Sequence, residues 1–162
     1  MIRVLVLGVG NSLLTDDGAG VHAVVQLRER AGERPGLTIL DAGTLSFSLL
    51  PELEQADALI AFDAARGGGR PGDLRVCEGD EFDEFVRRKG RSVHEVGLSD
   101  LLDMARLSGQ LPQRRVLIGI EPKTIDWGLA LTPPVAATLP RCVEAALGFI
   151  DRWQPGETRH GH

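Results

Sequence analysis

An alternation of two patterns constrains the fold of this chain more than any other feature. Short apolar runs rich in Val, Ile and Leu at 3–7, 37–41, 58–63 and 115–121 are separated by stretches with helical spacing at 18–30, 46–55, 97–108 and 134–153. Apolar runs of this length, bounded by turn residues, read as strands buried on both faces. In the last helical stretch Val135, Leu139, Val143, Ala146, Leu147 and Ile150 recur every three or four residues and draw one apolar stripe. Strands that alternate with helices through short connections dictate an α/β fold, a mostly parallel sheet layered between helices on both faces. A fifth candidate strand at 73–77 is more polar and belongs at an edge. The segment 66–72 holds four glycines and one proline and is expected to be a mobile loop. The charged stretch 80–91 reads as a solvated helix followed by a turn.

The length of 162 residues suits one domain that buries about 70% of its unfolded surface. That domain is expected over 1–153, with 154–162 a flexible polar tail in which His160 and His162 belong to a frayed end. A net charge of −5 argues against nucleic acid as a partner, which needs a basic face. No apolar run approaches the roughly 20 residues of a membrane span, and residues 1–5 read as strand rather than signal peptide. A cytoplasmic protein without nucleic-acid or membrane partners is expected. Cys77 and Cys142 are too few and too far apart for a disulfide framework or a zinc cluster, and both read as reduced, inert thiols.

Several polar residues sit where a scaffold does not need them. Between the first strand and first helix run Gly8, Gly10, Asn11, Leu13, Asp16, Asp17, Gly18 and Gly20. A dinucleotide fingerprint would place its third glycine at Leu13, so the close helix–strand approach of that motif is not expected. Asp16 and Asp17 would also repel a pyrophosphate from the helix N-terminus. One of the two aspartates can cap the helix while the other serves a site. Asp63 ends an apolar strand, the position where open α/β sheets bind ligands. If the strand order begins 2-1-3, Asp63 and the Asp16-Asp17 loop flank one crevice. His94 stands just ahead of the helix at 97–108 and can reach the same crevice from a loop, whereas His22, inside the first helix, reads as an ordinary helical residue. Two carboxylates and one imidazole suit a borderline divalent ion such as nickel or zinc.

The opening Gly8-x-Gly10-Asn11-x-Leu13-x-x-Asp16-Asp17-Gly18-x-Gly20, the Asp41-x-Gly43-Thr44 turn, Asp63 and the Ser92-x-His94-Glu95 element together resemble the [NiFe]-hydrogenase maturation endopeptidases. The stretches 117–122 and 125–129 resemble them as well, so the likeness covers nearly the whole chain. The resemblance implies a twisted, mostly parallel five-stranded sheet. It implies three nickel-contacting residues, here Asp17, Asp63 and His94, with Asp17 standing where many relatives carry glutamate. It also implies a single cut that removes the C-terminal extension of a hydrogenase large-subunit precursor after nickel insertion. The nickel is then supplied by the substrate, and no permanent cofactor is expected. A monomer is the expected state.

The sequence lacks the order and motifs of serine, cysteine and His-Glu-x-x-His proteases. A route in which the ion polarises the scissile carbonyl or activates water needs a general base, and Asp16, Asp41 and Glu95 are the candidates. Gly43 and Thr44 are expected to let their turn adjust as the substrate tail docks. A rival reading is a non-catalytic, nickel-dependent chaperone of the same precursor, which would use the three ligands without a base.

Overall fold

A computed structural model describes residues 1–43, 47–88 and 97–155 of the chain. Five strands are present: β1 (Val4–Val9), β2 (Leu37–Gly43), β3 (Ala58–Ala64), β4 (Leu74–Glu78) and β5 (Arg114–Ile120). The helices are α1 (Ala19–Ala31), α2 (Leu50–Gln55), α3 (Asp80–Arg88), α4 (Leu98–Leu107) and α5 (Pro133–Trp153). The strands form one sheet in the order β2-β1-β3-β5-β4. All pairings are parallel except β4 with β5. The polar strand lies at the edge, and a short antiparallel return there needs no crossover helix.

β1 and β3 are buried at every position, as central parallel strands covered on both sides must be. Their side chains alternate between two cores. Val4, Val6, Ile60, Phe62, Ile118, Leu27, Val143 and Ile150 pack on the face covered by α1 and α5. Leu5, Leu7, Leu59, Ala61, Leu117, Phe82 and Leu101 pack on the face covered by α2, α3 and α4. Each such large side chain contributes ~1.5–3 kcal/mol when taken out of water. Cys77 and Cys142 are free and buried within these cores.

Three expectations need correcting. The charged stretch that begins at Asp80 is not merely solvated, since α3 buries Phe82, Phe85 and Val86. Their spacing of three and four residues is the signal that the surrounding charges obscured. α3 is further tied to β5 by Arg115, whose Nε and Nη2 donate to the two oxygens of Asp83 at 2.9 and 2.8 Å. The 66–72 loop is pinned rather than loose. The amides of Gly67 and Gly69 donate to Glu121 Oε1, that of Arg70 donates to Asp73 Oδ2, and Thr138 Oγ1 donates to the Gly72 carbonyl. Gln154, assigned to the tail from its polarity, is buried, and its Nε2 donates to the Ile2 carbonyl at 2.8 Å. His160 and His162 lie outside the described residues.

Among the described residues, no helix is long and apolar enough to cross a membrane.

Candidate active site

The strand order reverses between β1 and β3, and in open α/β sheets the ligand crevice lies at the carboxyl ends of the strands at such a point. From β1 the chain passes through a single 3-10 turn, Thr15–Gly18, before α1 begins. This turn packs against β3. α1 then starts directly on the strands: a Cβ at Gly20 would collide with the carbonyl oxygens of Phe62 and Val9. The close helix–strand approach that Leu13 does not lead one to expect is present, and Gly20 supplies it. No added side chain fits there, so the turn carrying Asp16 and Asp17 is drawn down onto the end of β3.

Asp63 occupies the penultimate position of β3 and is 6% exposed. Strand alternation directs it to the same face as Leu59 and Ala61, the face of α4. α4 begins at Leu98, and because it leads into β5 its N-terminus lies at the Asp63 end of the sheet. His94 and Glu95 precede it and lie outside the described residues, as does Thr44. Asp17 is partly exposed, and its Oδ2 accepts a hydrogen bond from the Asn11 amide at 2.9 Å. Asp41 is exposed at the end of β2, in the row that pairs Asp41 with Gly8 and Gly8 with Phe62. Alternation places it on the α1 side of the sheet, with Ile39.

Asp16 has a different role from its neighbour. It is 0% exposed, and neither aspartate caps α1 with its side chain. Asp16 Oδ2 accepts from the amides of Lys123 and Thr124 and from Thr132 Oγ1, while Oδ1 accepts from the Thr132 amide, all between 2.7 and 3.1 Å. Burial pushes its pKa up, but the bonds from Thr132, Thr124 and Lys123 outweigh burial and leave it below the ordinary 3.8. Both oxygens are committed to the segment 121–132, here termed the arm, which joins β5 to α5.

Thr15 completes this junction. It is the one non-glycine residue with positive φ (43°) among the described residues, an uncommon conformation for a β-branched side chain. Three bonds to the arm hold it there. Its amide donates to the Gly128 carbonyl at 2.8 Å, its Oγ1 donates to the Thr124 carbonyl at 2.6 Å, and the Asp126 amide donates to Oγ1 at 3.1 Å. Leu14 forms a parallel bridge with Gly128. Strained backbone that persists only under such bonding clusters at functional sites. The tertiary roles of Thr15, Thr124 and Thr132 left no local signal in the sequence, because the groups that bond them across this junction lie more than a hundred residues away.

Neither cysteine offers a nucleophile. Burial pushes the Cys142 thiol up to about 12, and burial together with the nearby Glu81 carboxylate raises that of Cys77.

Gly43 has φ +51°, and the atom nearest to an added Cβ is Asp41 Oδ1 at 3.6 Å. The turn therefore requires a left-handed residue although space for a side chain exists. Gly43→Val should lower stability by ~1–2 kcal/mol through backbone strain, and Gly43→Asn by much less, since Asn tolerates this conformation. Parallel thermal melts of the two variants check this. Equal losses would place the cost in the side chain's surroundings instead.

A three-layer α/β protein with acidic side chains gathered at the carboxyl end of its sheet is the class this architecture defines. The sequence profile of the hydrogenase maturation proteases matches residues 21–149, and the chain belongs to that family. It is 40% identical over 152 residues to the hydrogenase expression/formation protein HupD of Bradyrhizobium diazoefficiens, covering 93% of this chain and 79% of that one. It is 35% identical over 150 residues to the hydrogenase 2 maturation protease of Escherichia coli K12, covering 92% and 91%. The solved structure of the hydrogenase maturating endopeptidase HybD from E. coli superposes with a TM-score of 0.84 at 33% identity, covering 93% of each chain. The expected fold and family are thereby found.

Proposed function

We propose that this protein is the endopeptidase that removes the C-terminal extension of a nickel-loaded [NiFe]-hydrogenase large-subunit precursor. The observation that carries this reading is the placement of Asp63, nearly buried at the end of a central strand beside the turn that bears Asp17, in a chain of the maturation protease family. Asp17 and Asp63 supply carboxylate oxygens suited to a divalent ion, and His94, four residues before α4, supplies the imidazole. Nickel here is part of the substrate. An open set of three protein groups completes the coordination of an ion presented by the precursor, whereas a structural zinc site is usually closed by four.

Asp16 supports the fold of the site and not proton transfer, since both its oxygens already accept hydrogen bonds and it is closed to solvent. Asp41, exposed but on the α1 side of the sheet, and Glu95, three residues ahead of α4 in the sequence, remain the candidates for the base. With nickel polarising the scissile carbonyl, a carboxylate takes the proton from attacking water and the leaving amine receives one in turn.

The test measures release of the extension by mass for chelator-treated and untreated enzyme, each with nickel-loaded and nickel-free precursor. Loaded precursor should be cut equally well by both enzyme samples, and nickel-free precursor should stay whole at high enzyme concentration. Efficient cutting of nickel-free precursor, or activity lost with the enzyme's own metal, overturns the reading. Loaded precursor that binds but stays whole would favour the chaperone.

A further inference from the structure

The arm presents large apolar side chains to water at the rim of the crevice. Trp127 is 82% exposed, Leu129 70% and Ile125 36%, recurring at every second residue. Leu13, 50% exposed, is carried on the neighbouring loop, whose backbone is joined to the arm where the Gly128 amide donates to the Leu13 carbonyl at 2.9 Å. No core packing explains this display, and such side chains would ordinarily collapse inward or be replaced by polar ones. The backbone that carries them is nevertheless fixed, by Thr15 and Asp16 on one side and by Leu131 packed on the α5 core at its end. Apolar side chains carried on a fixed backbone add no cost of ordering the chain when they are covered, which suits them to recognition.

We infer that this strip is where the enzyme grips an apolar segment of the precursor chain next to the bond that is cut. The inference rests on the function proposed above. Continuity identifies the occupant: the loop that carries Leu13 reaches Asp17 four residues later, so a polypeptide lying on the strip has its next residues at the carboxylates. Size points the same way. The strip offers on the order of 500 Å² of apolar surface, the scale of a functional patch and well below the roughly 800 Å² each partner gives to a stable dimer. A local hold on a substrate segment fits that area, and a second copy of this chain does not.

Cleavage kinetics on nickel-loaded precursor test the inference. Trp127→Ala should raise KM about tenfold while kcat stays within about twofold, as expected for binding energy expressed equally in ground and transition states. Leu107→Ala removes an equally exposed side chain at the far end of α4, opposite the crevice, and should change neither constant. A second readout leaves Trp127 intact. Trp153→Phe makes Trp127 the sole tryptophan, and its emission should move to the blue when loaded precursor is added. An unchanged KM, a fall in kcat alone, or an emission that ignores the precursor overturns the inference while wild-type cutting leaves the proposed function standing. So does a wild-type dimer that Trp127→Ala abolishes, since the strip would then belong to a second copy. If wild-type enzyme leaves loaded precursor whole, the proposed function fails and this inference falls with it.

Discussion

Asp63→Asn protein should process nickel-loaded precursor at least ~100-fold more slowly than wild type, the scale of loss when one group facing the reacting centre is neutralised. The amide keeps the shape of the carboxylate but is a poorer ligand for a divalent ion. Because the substitution is nearly isosteric at a site 6% exposed, the melting temperature should stay within about 3 °C of wild type. Retention of loaded precursor on immobilised variant should weaken in parallel, since Asp63 is proposed to contact the substrate's nickel. Normal processing by a well-folded variant would remove Asp63 from the site. A large drop in melting temperature would instead make it a structural carboxylate whose loss slows cleavage indirectly.

Asp16→Ala should be the most destabilising of the carboxylate substitutions, by about 3 kcal/mol or a fall of roughly 6–12 °C in melting temperature. Removing it strands the amides of Lys123, Thr124 and Thr132 and the Thr132 hydroxyl. A pH dependence distinguishes this anion from a neutral acceptor. Its pKa in the folded protein lies below the ordinary 3.8, so its contribution is fully present above about pH 4. That contribution is lost as pH falls through the folded value, because protonation then costs the native state more than the unfolded chain. The stability gap between wild type and Asp16→Asn should thus be constant from neutral pH to about pH 4 and narrow below it. Amide exchange at Lys123, Thr124 and Thr132 should quicken in both variants at neutral pH. A melting temperature unchanged within 2 °C would show that water satisfies those donors and that Asp16 is dispensable to the arm.

Much of this molecule is written locally in its sequence. β3 and β5 are legible because apolar, β-branched runs have no other stable home, and α5 is legible because its stripe persists from Val135 to Ile150. That alternation also puts Asp63 at the end of an interior strand, whereas the order 2-1-3, which sets it beside the Asp16-Asp17 turn, entered only as a condition and is met in the sheet. What escaped were features whose meaning lies in distant backbone. Asp16 and Asp17 are identical in type and adjacent, yet one is a buried clamp and the other a partly exposed ligand candidate. Nothing within a few residues distinguishes them, since the amides that bind Asp16 belong to the arm. Gly20 was hidden for a related reason: its need for close approach is set by Phe62 and Val9, not by a motif position at Leu13. The Gly-rich stretch near Gly67 looked loose because its anchor, Glu121, lies 54 residues further on.

That dependence on distant partners has a bearing on how the protein is made. The turn holding Asp17 is locked by bonds that span 107 to 116 residues of chain. Those bonds form only when β5 has joined the sheet beside β3 and carried the arm up to the turn. During synthesis the turn leaves the ribosome long before the arm exists, so the nascent chain carries both aspartates with nothing to seat them. A peptidase site able to act is complete only once Thr132 has emerged and α5 has begun to dock. Most of the chain is therefore translated before the turn that carries Asp17 can be held in place.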